Sequence, residues 1–236
     1  MALAILQARM SSTRLPGKVL MPLAGRPMIL RQIERLSRCR SLSRVIVATS
    51  TDPTDDPLHT HLASEGVEVY RGPLHDVLGR FLGCASEFGL SGDIVRLTAD
   101  CPLIDPSVVD EAIELRKSTG ADYVSNSLQR TYPRGLDVEV FPLQILEEAG
   151  RDAVDAYDRE HVTPYIYRHP EVYTCRDLVQ AERNDRHLRW TVDTPEDYAF
   201  VAKVYDALYA LKPDFTSQDI RNLPFSHFEP EFLEPK

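Results

Sequence analysis

The sequence lacks the features that mark secreted, membrane-spanning and zinc-binding proteins. Its four cysteines, Cys39, Cys84, Cys101 and Cys175, form no CxxC pair and have no zinc-ligand spacing, so we expect neither a disulfide framework nor a structural metal. No stretch approaches the roughly 18 apolar residues of a membrane helix, and Arg9 interrupts the short apolar run at the N-terminus. These absences predict a soluble protein of the reducing cytoplasm, without a signal peptide and without a membrane partner.

Three common nucleotide-binding and catalytic motifs are also missing. There is no G-x-G-x-x-G of dinucleotide-binding folds, no G-x-x-x-x-G-K-[ST] phosphate loop and no G-x-S-x-G of serine hydrolases. His59 and His61 are not a metal pair, because residues two apart on a helix point to different faces. Dehydrogenase, P-loop and acyl-enzyme chemistry therefore have no support in the sequence.

Positive charge is scarce over most of the chain and concentrated near its start. The net charge is -9, which argues against nucleic-acid binding, because phosphate backbones are held mainly by Lys and Arg. From residue 1 to residue 42 the only acid is Glu34. Eight cations lie in the same segment: Arg9, Arg14, Lys18, Arg26, Arg31, Arg35, Arg38 and Arg40. This asymmetry predicts a local basic site for a small anionic ligand in an acidic protein.

Short apolar runs alternate with longer amphipathic segments along the chain. The runs predict strands at residues 2–6, 45–49, 67–71, 93–97 and 189–192, with further extended pieces at 123–127 and 136–141. The amphipathic segments predict helices at 28–36, 57–66, 76–89, 106–120, 142–150, 158–168 and 195–211. Apolar strands separated by helices indicate a three-layer α/β fold, in which helices cover both faces of a mostly parallel sheet.

This pattern predicts a single domain over residues 1–212 and an irregular tail at 213–236. Four prolines mark the tail, Pro213, Pro224, Pro230 and Pro235, and we expect it to pack on the domain or on a partner subunit. Residues 136–141, LDVEVF, alternate apolar and acidic side chains like a half-exposed strand. That strand is a second place where a partner could dock.

The loop after the first predicted strand, ARMSSTRLPGKVL, has the composition of a phosphate cradle. It carries the cations Arg9, Arg14 and Lys18 together with small hydroxyl residues and a Pro-Gly pair. A polyphosphate needs positive side chains and backbone N–H donors, and glycine allows the backbone to approach closely. Composition alone is equally compatible with a solvated basic loop.

Two acids stand just past the ends of predicted strands. Asp100 follows the strand at 93–97, and Asp193 follows the strand at 189–192. Ligands bind at the carboxyl ends of parallel strands, and Mg²⁺ prefers one or two carboxylates together with substrate phosphates. The pair is a candidate Mg²⁺ site. Asp193 could instead shape a turn before a helix capped by Thr194, and Asp105 before Pro106 has the pattern of a helix cap.

A third group of polar residues lies between these acids in the sequence. The segments TYPRGLDVEVF and DREHVTPYIYRHP are dense in groups that hydrogen-bond sugar hydroxyls or a carboxylate. The candidates for substrate binding are Arg130, Arg134, Asp137, Glu139, Glu160 and His161. Each of them alone is more often a surface charge, so the density of the group carries the prediction.

These motifs resemble those of a known enzyme family. ARMSSTRLPGKVLMPLAGRPMI is similar to the N-terminal signature of the acylneuraminate and 3-deoxy-manno-octulosonate cytidylyltransferases. The segments RGPLHDVLGRF, RLTADCPLID, GLDVEVF, REHVTPYIY and TVDTPEDY follow in the order found in the spore coat polysaccharide biosynthesis group of that superfamily. The resemblance covers about residues 2–205.

The resemblance implies a fold, a reaction and roles for particular residues. The implied fold is that of the nucleotide-diphosphosugar transferases, and the reaction is CTP + sugar acid → CMP-sugar + pyrophosphate with Mg²⁺, carried out by a homodimer. Lys18, Arg9 and Asp100 would form the catalytic set, and Asp100 and Asp193 would bind the metal. The implied nucleotide-binding residues are Ala8, Arg9, Ser11, Ser12, Arg14, Gly17, Lys18, Arg71, Asp76, Arg80 and Thr98.

Two other functions remain open from the sequence. A glycosyltransferase with the same fold would consume a nucleotide-sugar, but such enzymes usually hold their metal with D-x-D, and Asp100-Cys101-Pro102 lacks the second acid. A non-catalytic nucleotide- or sugar-binding subunit is the other alternative. Pyrophosphate release separates the first alternative from a cytidylyltransferase, and metal-dependent turnover separates the second.

Overall fold

A seven-stranded sheet forms the centre of the computed structural model, which describes residues 1–225. In chain order the strands are β1 (Ala2–Gln7), β2 (Pro22–Leu23), β3 (Arg26–Pro27), β4 (Leu42–Ser50), β5 (Val69–Gly72), β6 (Asp93–Thr98), β7 (Tyr123–Ser125), β8 (Glu139–Pro142) and β9 (Cys175–Asp177). The sheet has the order β5-β4-β1-β6-β8-β7-β9, and β2 and β3 form a separate hairpin. Within the sheet, β8 is antiparallel to both neighbours and the other pairings are parallel.

Helices cover both faces of this sheet. They are α1 (Met28–Leu36), α2 (Asp56–Ser64), α3 (Val77–Glu87), α4 (Pro106–Thr119), α5 (Leu143–Asp152), α6 (Ala156–His161), α7 (Pro164–Tyr167), α8 (Pro195–Leu208) and α9 (Ser217–Arg221). Of the helices in residues 1–225, none is both long and apolar enough to cross a membrane.

The alternation of side chains along β1 divides the core into two halves. Ala4 and Leu6 pack into a cluster with residues of α1, α4 and α8, whereas Ile5 packs into a second cluster with residues of α3 and α5. Successive residues of a strand point to opposite faces, so one apolar strand supplies both clusters. The predicted three-layer α/β fold with a mostly parallel sheet is confirmed.

The order of strands reverses beside β1. The chain passes from β1 to β4 and β5 on one side and then returns to β6 on the other side. At the carboxyl end of β1, Gln7 lies opposite Ala48 of β4 and Thr98 of β6. Doubly wound sheets bind ligands in the crevice at such a reversal, so the fold directs attention to the loops after β1 and β6.

The strand predicted at 189–192 is wrong as a ladder strand. It contributes only an isolated bridge between Arg134 and Arg189. The reason lies in its hydrogen bonds: the Trp190 N–H donates to the Arg134 carbonyl at 2.7 Å, whereas the Val192 N–H donates to the Asp100 carbonyl at 2.8 Å. Because these hydrogen bonds go to two different loops, the segment connects the loops at Arg134 and Asp100 and does not extend the sheet.

The helix predicted at 158–168 is interrupted. α6 ends at His161 and α7 begins at Pro164. Between them, Val162 has φ 73° and ψ −54°, and the Thr163 N–H donates to the His161 carbonyl at 2.9 Å, which closes a three-residue turn. Pro164 has no N–H to continue the helix but is well suited to begin the next one.

The half-exposed strand predicted at 136–141 is an interior strand instead. β8 lies between β6 and β7, and Leu136, Val138, Val140 and Phe141 are fully buried. Its acidic residue Glu139 is compensated by an ion pair with Arg96 at 2.6 Å. Glu139 therefore faces a cavity beside the sheet. Because β8 has a neighbouring strand on each side, it offers no edge for a partner.

Residues 213–225 pack on the body of the protein. Phe215 is buried beneath the Arg35 guanidinium, which lies 4.2 Å from the ring centroid and donates to the Phe215 carbonyl at 2.9 Å. The Asp105 carboxylate, which caps α4 as the sequence predicts, also accepts the Ser217 N–H at 2.6 Å. The remainder of the predicted tail, 226–236, lies outside the described residues.

The contact at Gly135 generates a prediction about stability. Gly135 has φ 106°, and a Cβ added there would lie 2.5 Å from the Thr191 nitrogen. Gly66 also has a positive φ, 73°, but open space around it. We expect Gly66→Ala to cost about 1 kcal/mol of unfolding free energy and Gly135→Ala about 3 kcal/mol or more, because only the second adds a clash. Urea unfolding measures both, and equal losses would contradict the close contact.

Candidate active site

A cavity of about 220 Å³ opens where the strand order reverses. It collects predicted residues from three distant parts of the chain: Ala8, Arg9, Ser12, Arg14, Lys18, Thr98, Asp100 and Asp193. Gln7 at the end of β1 also lines it. We call this space the first cavity. The separate predictions of a basic loop and of two strand-end acids therefore fall on one site.

The backbone of Met10 holds the basic loop in shape. Its carbonyl accepts the N–H groups of Ser12 and Gly17, both at 2.9 Å, and its own N–H donates to Asp55 Oδ1 at 2.7 Å. Asp55 is fully buried and also accepts hydrogen bonds from the N–H and hydroxyl of Ser50 at the end of β4. The loop is thus fixed to the sheet.

Gly17 turns the chain so that Lys18 enters the protein. Its φ of 73° is the left-handed conformation that glycine adopts without strain. Lys18 follows at the start of a short 3₁₀ turn, Lys18–Leu20, and is only 8% exposed. Its ammonium donates to the Val192 carbonyl at 2.6 Å and to Asp193 Oδ1 at 3.0 Å, and lies 3.7 Å from Asp100 Oδ2.

The Asp193 carboxylate forms ion pairs with three cations of the site. Besides Lys18, Arg14 lies 3.1 Å and Arg189 lies 2.7 Å from its Oδ2. Burial alone would raise the pKa of Asp193, but Lys18, Arg189 and Arg14 outweigh burial and lower it. The carboxylate is therefore ionised over the whole neutral range and organises the positive groups around it.

Asp100 is held differently and is more open. Thr98 Oγ1 donates to its Oδ1 at 2.6 Å, and its carbonyl accepts the Val192 N–H and the Thr191 hydroxyl. Its Oδ2 has no hydrogen bond within the described chain and faces Lys18 across 3.7 Å. One oxygen is thus positioned by the protein and the other remains available to a ligand.

The two acids fit a divalent cation only in combination with a ligand. Within residues 1–225, no cluster of three or more His, Cys, Asp or Glu side chains could hold a metal. Mg²⁺ typically keeps several waters and binds through one or two carboxylates plus substrate phosphates. Asp100 and Asp193 are that kind of donor set, beside cations suited to the same phosphates.

Five predicted nucleotide-binding residues do not line the first cavity, and one of them, Gly17, acts only by turning the loop that carries Lys18. Ser11 is exposed and Arg71 is tied to the carbonyls of Ser50 and Asp52 and to Asp56 at 2.6 Å. Asp76 caps α3 and pairs with Arg159 at 2.6 Å.

Arg80, the fifth of these residues, is fully buried. Burial lowers the pKa of its guanidinium to about 10, and Nε and Nη2 have no hydrogen-bond partner among the described residues.

A second cavity lies next to the first and contains most of the predicted substrate residues. Arg134, Glu139 and His161 line it, together with Arg96, Arg130, Tyr123 and Tyr157. Asp137 pairs with Arg130, and Glu160 is exposed on α6 outside the lining.

The second cavity adjoins the first through a pair of hydrogen bonds. Arg96 on β6 donates to Glu139 at 2.6 Å and to the side-chain oxygen of Gln7 at 3.3 Å, and Gln7 lines the first cavity. The strained turn at Val162, whose side chain is buried in the core, separates His161 from Thr163, and both of these neighbours line the cavity. Backbone strain on a β-branched residue persists where surrounding structure enforces it, often at binding sites.

Several residues that build the site had no usable sequence signal. Asp55, Arg96 and Gln7 act through side-chain contacts with residues far away in the chain. Arg189 was detectable in principle, since it precedes Asp193 and Asp197 at spacings of four and eight, and it bonds both.

The different surroundings of the two acids generate a prediction. Asp193→Asn leaves Lys18, Arg14 and Arg189 without their shared carboxylate, so we expect a loss of about 2 kcal/mol or more of unfolding free energy. Asp100→Asn should cost less than about 1 kcal/mol, because its carboxylate accepts only from the Thr98 hydroxyl and the Cys101 thiol and lies 3.7 Å from the Lys18 ammonium.

Urea unfolding at neutral pH compares the two variants. The pKa of Asp193 is lowered on folding, so its contribution is present above the ordinary value of 3.8 and is lost as pH falls through the lower folded value. The difference between wild type and Asp193→Asn should therefore shrink below pH 3.8. Equal destabilisation by both substitutions would contradict the central role of Asp193.

Comparison with known proteins identifies the family. A profile described as cytidylyltransferase matches residues 3–219. The spore coat polysaccharide biosynthesis protein SpsF of Bacillus subtilis is 34% identical over 229 residues, 94% of this chain and 92% of that protein. A 3-deoxy-manno-octulosonate cytidylyltransferase of Geobacter sulfurreducens is 39% identical over 112 residues, 47% of this chain and 43% of that protein. A solved cytidylyltransferase structure from Leptospira borgpetersenii has a TM-score of 0.86 at 34% identity and covers 92% and 91% of the two chains. The chain belongs to the cytidylyltransferase family.

Proposed function

We propose that this protein is a Mg²⁺-dependent cytidylyltransferase that joins CMP to a sugar acid and releases pyrophosphate. One observation carries the proposal: Arg9, Arg14 and Lys18 meet Asp100 and Asp193 in one cavity, and a second polar cavity adjoins it. The first cavity has the charges for a nucleoside triphosphate and a metal, and the second has room and polarity for an acceptor. The family and the similarity to a 3-deoxy-manno-octulosonate cytidylyltransferase support CTP and a sugar acid as substrates.

In this proposal the triphosphate lies against the basic loop. The loop presents Arg9 and Arg14 to the first cavity, and its fixed backbone offers N–H groups near the end of β1. Lys18 lines the same cavity, and hydrogen bonds to the Val192 carbonyl and to Asp193 hold its ammonium in place. Because the loop is fixed to Asp55, these positive groups are organised before the nucleotide arrives.

Asp100 and Asp193 would hold the magnesium ion. When bound, the ion neutralises charge on the phosphoryl oxygens. The protein residues orient the reactants: Thr98 positions Asp100, and Arg189 and Arg14 position Asp193.

The chemistry needs no covalent enzyme intermediate. An acceptor hydroxyl attacks the α-phosphorus in line, and a bond forms between that oxygen and the phosphorus. The bond from the α-phosphorus to the oxygen bridging the α- and β-phosphates breaks, pyrophosphate leaves with the electron pair, and the hydroxyl proton is released. Lys18 stabilises the negative charge that develops on the phosphoryl oxygens. The rate acceleration therefore comes from positioning of the reactants and from electrostatic stabilisation.

The setting of the enzyme belongs to the same proposal. We place it in the cytoplasm, a location supported by four cysteines that lie free. A role in surface or spore-coat polysaccharide synthesis is supported by the similarity to SpsF over most of both chains. We also propose a homodimer, which rests on the family resemblance in the sequence.

The direct test is pyrophosphate release with Mg²⁺ from CTP, ATP, GTP, UTP and dTTP, across a panel of 2-keto-3-deoxy sugar acids and neutral sugars. We expect release with CTP and at least one acid, and a loss of more than about 100-fold in Asp100→Asn. Transfer from a nucleotide-sugar without pyrophosphate release would establish the glycosyltransferase alternative. Nucleotide binding without any turnover would establish the binding subunit.

The position of Lys18 generates a second prediction. Its ammonium stands between the two acids, 3.0 Å and 3.7 Å from their nearest oxygens, so it repels a cation that enters alone. Lys18→Met should lose turnover by more than about 100-fold, and without nucleotide it should bind Mn²⁺ about tenfold more tightly than wild type.

Electron paramagnetic resonance of free Mn²⁺ measures this affinity independently of turnover. Lys117→Met is the matched control, because Lys117 is exposed on α4 and far along the chain from the site. Thermal unfolding checks that Lys18→Met is folded. An unchanged Mn²⁺ affinity in folded Lys18→Met would show that the ammonium does not compete with the metal.

A further inference from the structure

A third cavity continues the second one away from the nucleotide. It is lined by Ser127, Leu128, Arg130, Arg134, Arg186 and His187, and the first four of these also line the second cavity. It shares no lining residue with the first cavity. The second cavity touches the first through the Arg96–Gln7 hydrogen bond and shares four lining residues with the third, so the three spaces form a row with the second in the middle.

The charge of the third cavity differs from that of the second. In the second cavity Glu139 neutralises Arg96, and Asp137 neutralises Arg130. Arg134 and Arg186 form no ion pair within residues 1–225, and no carboxylate is found among the described residues that line the third cavity. In a protein of net charge -9, two arginines that have no acidic partner among residues 1–225 line one cavity.

The backbones that carry these two arginines are fixed. The Arg134 N–H donates to the Leu188 carbonyl at 3.0 Å, its carbonyl accepts the Trp190 N–H at 2.7 Å, and Gly135 lies against the Trp190 backbone. On the other side, the Asp185 N–H donates to the Thr131 carbonyl at 2.8 Å, and the Asp185 carboxylate binds Arg221 at 2.9 Å. The two loops are hydrogen-bonded to each other, so the backbone positions from which the two exposed arginines project are fixed before a ligand binds.

The distance between the ends of the row suits a small extended molecule. Arg134 lies opposite Arg189, and three residues further along, the Val192 N–H bonds the Asp100 carbonyl. Three residues of extended chain span at most about 10 Å. Because Arg134 lines both the second and the third cavity, an acceptor whose reacting hydroxyl lies beside Asp100 can direct its other end toward the third cavity.

We propose that the third cavity binds an anionic group at the end of the acceptor distant from the reacting hydroxyl, through Arg134 and Arg186. This inference rests on the proposed function, in which the second cavity holds the acceptor. In a 2-keto sugar acid the carboxylate and the reacting hydroxyl share one carbon, so that carboxylate lies near the nucleotide. The third cavity then takes a second anion, a phosphate or a carboxylate, which guanidinium groups bind with paired hydrogen bonds. The acceptor class is a sugar acid with a distal phosphate or a second carboxylate.

The test compares pairs of probes that differ in one distal anion. The phosphate arm uses 3-deoxy-manno-octulosonate and its 8-phosphate, and the carboxylate arm uses gluconate and glucarate. Trp190, the one tryptophan of the chain, is buried beside Gly135, so its fluorescence reports binding without turnover. The proteins are wild type, Arg134→Gln, Arg186→Gln and the control Arg151→Gln, whose side chain is exposed on α5.

We expect the distal anion to tighten binding to wild type by about tenfold or more in at least one arm. Arg134→Gln and Arg186→Gln should each remove most of that gain. Arg186 does not line the second cavity, so Arg186→Gln should change the affinity for the probe without the distal anion little. Arg151→Gln should keep the gain, and all variants should bind CTP as wild type does. The arm that shows the gain identifies the anion as phosphate or carboxylate.

Two results would overturn the inference. One is the absence of any gain from the distal anion in both arms; the other is a gain that survives in Arg134→Gln and Arg186→Gln. Pyrophosphate release from CTP in the same preparations tests the proposed function separately. Turnover of acceptors without any arginine-dependent gain would overturn the proposed anion site and support the proposed cytidylyltransferase activity. An arginine-dependent gain without turnover would support the anion site and overturn the proposed activity.

Discussion

The contacts of the Lys18 ammonium group are the interaction on which the rest of the site depends. It joins three parts of the chain: the loop after β1, the end of β6 through Asp100, and the segment before α8 through Val192 and Asp193. A nearly buried cation is stable only with anionic or carbonyl partners, so the positions of all three parts are coupled. The arrangement of Arg14 and Arg189 around Asp193 follows from the same need to balance charge.

Much of the architecture could be predicted because it is local. Apolar runs and amphipathic segments predicted the strands and helices of the three layers. The cations, hydroxyl residues and Pro-Gly pair between Ala8 and Leu20 predicted the basic loop. The strand-end positions of Asp100 and Asp193 were also visible, since each follows an apolar run. Their convergence required the order of the strands, which places the ends of β1 and β6 side by side.

The parts that could not be predicted depend on contacts between distant residues. Residues 189–192 have the composition of a strand, but Trp190 and Val192 bond different partners, which no periodicity reveals. Residues 158–168 have the composition of a helix, and the turn at Val162 overrides that preference at a cost of the order of 1–3 kcal/mol. Likewise, Gln7 and Arg96 join the two cavities although 89 positions separate them in sequence.

The reversed direction of β8 has a consequence for how this site can diversify. Because β8 runs against its neighbours, it begins at the edge where β6 and β7 end, and the connection from Ser125 to Glu139 crosses that edge. This connection carries Arg130 and Arg134, while the first cavity, the proposed nucleotide site, is built from the loops after β1 and β6. Changes in the length or sequence of this one connection can therefore remodel the second and third cavities, the proposed acceptor sites, and leave the first cavity intact. In the proposed function, the fold thus builds the sites of the acceptor and of the nucleotide from separate connections.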